Sequence, residues 1–233
     1  MYPIIIAFAA LAAIVISMIV YEQRRLSAIE RELASRGFAV RLKPDLAERE
    51  QAFLPLLSLD NLKTGSSGVK WLARGRVGRH DAIVVEHAFS TGTGKSKRTV
   101  RNTLVAAPGS GDWPMLTLTG ESVFHRLGEK LGAAADVKLE DERFNRKWRV
   151  RCPDEGFAMA VLTPEVQHLL GDAARAEWWS IGGPDGIVCL GRCGAVNARA
   201  AGEMLERLEA FLAALAPQAR DGLGLSREGD SRS

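Results

Sequence analysis

The sequence predicts an α+β protein, and three observations predict it. From Val69 onward the apolar residues alternate with period two, in segments joined by short turns, as antiparallel strands require. The stretch Asn197–Leu215 sets Met204, Leu205, Leu208, Phe211, Leu212 and Leu215 on one face of a closing helix. Ahead of both, Tyr2–Tyr21 (YPIIIAFAALAAIVISMIVY) is apolar without a single charge. Strands in a meander and a terminal packing helix make an α+β class.

The first element reads as a transmembrane anchor over residues 1–21. A helix of this length spans about 30 Å, the thickness of a hydrocarbon core. A cleaved signal peptide fits poorly, because no Lys or Arg precedes the run and Met18-Ile19-Val20-Tyr21 lacks a small-residue cleavage pattern. Tyr2 and Tyr21 sit where interfacial aromatics belong. Arg24, Arg25, Arg31 and Arg36 all follow the run, so the positive-inside rule puts the N-terminus outside and the rest of the chain in the cytoplasm.

Residues 22–36 read as a helical stem. Leu26, Ile29 and Leu33 recur at helical spacing among charges, and Gly37 supplies a C-cap. The stripe suits either docking on the chain's own domain or a short coiled-coil seam. The domain proper is expected over residues 37–216. Its predicted elements are a strand at Phe38–Leu42, a helix at Pro44–Leu59 interrupted at Pro55, and a loop at Lys63–Gly68. Strands follow at Val69–Val77, Asp81–Phe89, Lys97–Ala107 and Trp113–Thr119, with a turn at Gly78-Arg79 and a loop at Ser90–Ser96. Then come a helix at Glu121–Leu131 and strands at Ala135–Leu139 and Arg146–Cys152. Helices are expected at Glu155–Leu162 and Pro164–Ala174, a hairpin at Glu177–Leu190 around Gly182–Asp185, and the closing helix capped by Asn197. From residue 217 the polar, glycine-rich tail has the composition of a disordered segment. This order, antiparallel strands closed by a C-terminal helix, resembles that of pleckstrin-homology-like barrels.

Composition narrows the function. With 46% apolar residues in 233, the chain has the makings of a packed core, and a net charge of +3 is not the strong basic excess of a nucleic-acid binder. Cys152, Cys189 and Cys193 are odd in number and lack C-x-x-C spacing, so they read as reduced, small apolar side chains rather than a disulfide framework or a zinc site. Gly92-Thr-Gly-Lys-Ser96 has the end of a phosphate-binding loop but Phe89 where the pattern needs glycine, and a strand rather than a helix follows it. His80, His87, His125 and His168 show no metal-ligand spacing, and Gly109-Ser-Gly111 lacks a nucleophile elbow. Of Trp178 and Trp179, on alternate faces of a strand, at most one is expected at the surface. No catalytic, cofactor or metal residue emerges.

What remains is a basic region. Between Lys63 and Arg101 nine Lys and Arg face only Asp81 and Glu86. Near a cytoplasmic membrane face each such cation is attracted to anionic headgroups by about 1 kcal/mol. Lys95, Lys97 and Arg98 are therefore candidate contacts for anionic lipid or a protein partner. The alternative is a solvated strand face with lysines guarding a sheet edge.

Several of these features together resemble an uncharacterised bacterial family of single-pass membrane proteins with a cytosolic domain of unknown function. They are the anchor with its charged helix and Gly37-Phe38, the hairpin Ser90–Lys95 with Arg98-Thr99, Leu116-Thr-Leu118 with Glu121, Gly132 with Asp136–Leu139, Phe144–Arg151, and Asp154-Glu155. Ala88-Phe89 stand where that family usually has tyrosines. The resemblance implies placement at a membrane and supplies no catalytic residue. The expectation is a membrane-tethered, non-enzymatic binding or scaffold module. The alternatives are a subunit of a larger membrane assembly and an enzyme whose site would join His87 to acidic groups.

Overall fold

A computed structural model describes residues 2–45, 47–49, 68–91, 94–109, 111–120, 136–171, 177–183 and 186–215. Its elements are α1 (Tyr2–Ser35), β1 (Ala39–Arg41), β2 (Val69–Val77), β3 (His80–Thr91), a 3-10 turn at Gly94–Ser96, β4 (Arg98–Ala107), β5 (Trp113–Gly120) and β6 (Asp136–Val137). There follow α2 (Glu142–Lys147), β7 (Trp148–Arg151), α3 (Glu155–Val161), α4 (Pro164–Gly171), β8 (Glu177–Gly183), β9 (Ile187–Cys193) and α5 (Ala198–Ala214). The molecule is α+β, with a nine-stranded sheet in the order β1-β2-β3-β4-β9-β8-β5-β7-β6, and every pair is antiparallel.

Apolar run and stem form one continuous helix. It stops where the sequence supplies glycine: Gly37 has φ of +82°, and the N–H groups of Phe38 and Gly37 donate to the carbonyls of Leu33 and Ala34 at 3.0 Å. The chain turns sharply there and lays Phe38 on the sheet, where a Cβ on Gly75 would come within 2.6 Å of its ring. The stem docks on its own domain. Ile29 and Leu33 are fully buried, Leu26 packs beside them, and α1 lies so close to α5 that a Cβ on Gly202 would meet Arg36 and Glu32 at 2.8 Å.

Both faces of the sheet are covered. The larger core joins α1, α5 and the short helices to Trp71, Val84, Val105, Leu118, Trp179 and Leu190. A second cluster on the opposite face gathers Val69, Leu72, Val85, Leu104, Trp178, Ile187 and Cys189. Trp178 and Trp179 are thus both about 1% exposed, one in each core. Trp179 stacks on Phe211 with ring centroids 4.6 Å apart, while Trp178 lies over Gly191, whose missing side chain makes the space.

The strand order departs from the likeness to pleckstrin-homology-like barrels. All nine strands share one sheet, and β4 is bordered by β9 rather than β5. The hairpin β8–β9 is buried on both faces along most of its length, which suits a central position, so it inserts between β4 and β5. A second departure is local. Arg146 and Lys147 end a helix instead of starting a strand, because Asp141 caps α2 by accepting from the N–H groups of Arg143 and Phe144, and Phe144 is buried. Of the predicted helix Pro44–Leu59, residues 47–49 are helical and those from 50 on lie outside the described residues. So do the predicted helix Glu121–Leu131, most of the loop Lys63–Gly68 and the tail from 217.

Candidate functional site

Near residue 22 of α1 a charged network joins the helix to the sheet. Arg25 is 8% exposed, and all five of its donors are used. It donates to both Glu22 oxygens at 2.8 and 3.0 Å, to both Glu86 oxygens at 2.8 and 3.2 Å, and to the Val196 carbonyl at 2.8 Å. Arg101 donates to Glu22 at 2.9 Å and lies 3.6 Å from Glu86. Burial opposes the charge on Arg25, but its carboxylate partners outweigh that cost and raise its pKa. The hydrogen bond from Arg25, with a smaller one from Arg101, holds the Glu22 carboxyl below its ordinary range against the opposing effect of burial.

The same sheet face carries a polar row. Glu86, Thr103, Arg192 and Glu177 face one another in register across β3, β4, β9 and β8, and Arg207 of α5 closes on Glu177. Three guanidiniums (Arg25, Arg101, Arg207) thus meet three carboxylates (Glu22, Glu86, Glu177), with Arg192 opposite Glu177 across β8–β9. Arg25 is fully engaged, and Arg207 holds one oxygen of Glu177. Arg101 is 41% exposed and commits one nitrogen to Glu22. Arg192 makes no ion pair with any described residue.

A groove of about 880 Å³ opens on this network. One wall is α1, through Ala13, Ile14, Ser17, Met18 and Tyr21; the other is the loop Ala195–Asn197; Glu22, Arg25 and Arg101 form its polar end. Asn197 holds that loop in place by capping α5, its side chain accepting from the Ala200 N–H at 2.8 Å.

The β3–β4 ribbon rises beside the groove. β2 reaches only His87, and β9 ends at Cys193 opposite Asn102, so beyond the Gly194 N–H that donates to the Arg101 carbonyl at 2.7 Å, Ala88–Thr91 and Arg98–Arg101 pair with each other. The direct pairing Thr91↔Arg98 makes this segment a hairpin and not a phosphate-binding loop. Lys97 and Arg98 are exposed at its end and make no ion pair with a described residue; Lys95 belongs to the 3-10 turn between the strands. β3 and β4 are interior strands of the sheet, and only their outer ends form this ribbon. Direction matters here. As α1 is followed from Leu33 through Arg25 to Glu22, its partners advance along β3 from the core through Glu86 to the level of Ala88, opposite Arg101. The ribbon tip and the apolar half of α1 therefore leave the sheet on the same side.

That half of α1 is uncovered: Phe8, Leu11, Ile14, Ile16, Met18 and Tyr21 are each more than half exposed. Among the described residues no helix is long and apolar enough to cross a membrane. The side chains of residues 2–7 and 9, part of the Tyr2–Tyr21 run, lie outside those residues.

His87 is wholly buried, on the strand face opposite Glu86, with its ring against Gly68. Asn102 pairs with it across the strands, is also wholly buried, and has no hydrogen-bond partner for either amide atom among the described residues. Cys152 and Cys189 are buried free thiols whose pKa values burial raises, which suits packing rather than nucleophilic attack. Among the described residues no group of His, Cys, Asp and Glu could hold a metal.

Sequence reasoning found the hairpin cations but missed the network. Arg25 looked like one more flanking charge, and Glu86 like one of two acids set against the basic region. The available signal was Glu86 itself, an acid inside the strongly apolar strand AIVVEHAF, where burial demands a partner. No protein-family model matches the chain, and no curated protein matches it. Among solved structures it is similar to the crystal structure of the mycobacterial trehalose monomycolate transport factor A, TtfA, at 13% identity and a TM-score of 0.46 over 83% of this chain and 96% of that one, a distant likeness of architecture.

Proposed function

We propose that the protein is a membrane-tethered, non-enzymatic binding module. The apolar half of α1 crosses the bilayer, the α+β domain stands on the cytoplasmic face, and Lys95, Lys97 and Arg98 touch anionic headgroups from the tip of the β3–β4 ribbon. One observation carries this reading: the uncovered apolar helix and the basic ribbon leave the sheet on the same side. At about 3.4 Å per residue the ribbon extends roughly 10 Å beyond Arg101, enough to stand level with the start of the apolar helix. Arg24, Arg31 and Arg36 are exposed on the domain side of the run, as the positive-inside rule asks; Arg25 is spent on Glu86.

Two measurements test it. The full-length protein should stay with membranes under alkaline extraction, and release into the supernatant would end the anchor reading. In nanodiscs, a fluorophore at Ser96→Cys (with Cys193→Ser) should shift to the blue as phosphatidylglycerol replaces phosphatidylcholine. Lys97→Glu with Arg98→Glu should abolish the shift, and a wild-type signal indifferent to lipid charge would remove the headgroup contact. A subunit of a larger membrane assembly is the second reading. Ala13 and Ser17, four residues apart on α1, favour it, since small residues at that spacing let membrane helices approach.

A further inference from the structure

We propose that the groove between α1 and the Ala195–Asn197 loop is a seat for one anionic glycerophospholipid, its phosphate on Arg101 and an acyl chain along Ala13 and Ser17. The inference rests on the membrane reading above and names a site apart from the ribbon. The groove is amphipathic end to end. Its outer wall is the apolar stripe of α1, and its inner end holds the exposed guanidinium of Arg101.

Charge selects the ligand. Arg25 has no donor left to give, whereas Arg101 has given one nitrogen to Glu22 and keeps the rest of its fork for a phosphate. Glu22 shares the rim but is already held by two arginines. Depth agrees as well. Glu22 directly follows the apolar run, so a phosphate on Arg101 lies at headgroup level while Ser17 and Ala13 lie about one and a half and two and a half turns deeper. Their small side chains leave width for a methylene chain in a groove of about 880 Å³.

The test uses the full-length protein, stripped of lipid in mild detergent and offered phosphatidylglycerol and phosphatidylcholine in equal amounts, with adducts read by native mass spectrometry. One phosphatidylglycerol should be retained at least fivefold over phosphatidylcholine. Arg101→Gln should lower that retention at least fivefold, and Ser17→Leu, which blocks the chain path without touching the charges, should abolish the adduct while leaving the melting temperature unchanged. Lys97→Glu with Arg98→Glu should leave the adduct intact, which separates this seat from the ribbon. Equal retention of the two lipids, or an adduct indifferent to both Arg101→Gln and Ser17→Leu, overturns the proposal. So does a dimer mass that Ser17→Leu abolishes, because the groove would then hold a second helix. Failure of the anchor shows separately, as release on alkaline extraction.

Discussion

Arg25 and Glu86 carry the sharpest energetic consequence at the scale of single residues. A buried ion pair adds little over an apolar pair, but breaking one strands a charge. Glu86→Gln should destabilise the domain by about 3–5 kcal/mol, and Arg25→Met with Glu86→Leu should recover most of the loss; urea midpoints of the wild type and these two variants give the comparison. Asn102 predicts the reverse sign. Its buried amide has no partner among the described residues, so Asn102→Leu should raise stability by about 1 kcal/mol. A clear fall in the melting temperature would mean the amide is satisfied after all. Glu22 gives a pH dependence. Its carboxyl is held low in the folded state, so its contribution is present above the unfolded carboxylate value of about 4.3 and is lost as pH falls through the lower folded one. Asp136, held low by hydrogen bonds from Arg149 and Arg151, acts in the same direction. Glu22→Gln should therefore flatten the acid limb of a stability profile between pH 7 and pH 3 while changing its alkaline side little.

Close approach governs the elements. Gly191 and Gly75 are strand glycines whose places are filled by the rings of Trp178 and Phe38. A Cβ on Gly191 would come within 2.0 Å of Trp178, so Gly191→Ala should cost about 1–3 kcal/mol and displace the indole. Near-ultraviolet circular dichroism alongside thermal melting reads both. Legibility differed among elements for a physical reason. β2, the turn at Gly78 and α5 were read closely because one face of each is apolar with a clean period and a capping or turn residue marks the end. Arg146 and Lys147 of α2 were read as strand because RKWRVRC alternates well; Asp141, capping the helix by accepting from the N–H groups of Arg143 and Phe144, decided otherwise.

For the whole molecule the decisive fact is that the stem belongs to the core. A chain beginning at Gly37, the expected domain boundary, would lose Ile29 and Leu33, each worth about 1.5–3 kcal/mol of burial, and would leave Glu86 without Arg25. A chain beginning at Glu22 keeps all three. We expect the second to unfold cooperatively and the first to be insoluble or to melt at a much lower temperature; equal melting of the two would show the stem to be a passenger. This docking also fixes the helix axis against the sheet, and through it the ribbon and the groove against the apolar half of α1.

The sequence by itself determined the class of the fold, the strand segments from Val69 to Thr119, the closing helix with its Asn197 cap, the C-cap at Gly37 and the exposed cations of the ribbon. Each of these is written locally, in a hydrophobic period, a capping side chain or a glycine. Only the tertiary structure decided that β8 and β9 part β4 from β5, that Glu86 faces Arg25 from 61 positions away, and that the groove joins residue 13 to residue 197. Those relations depend on which faces meet, and period and spacing within a segment carry no record of the partner across from it.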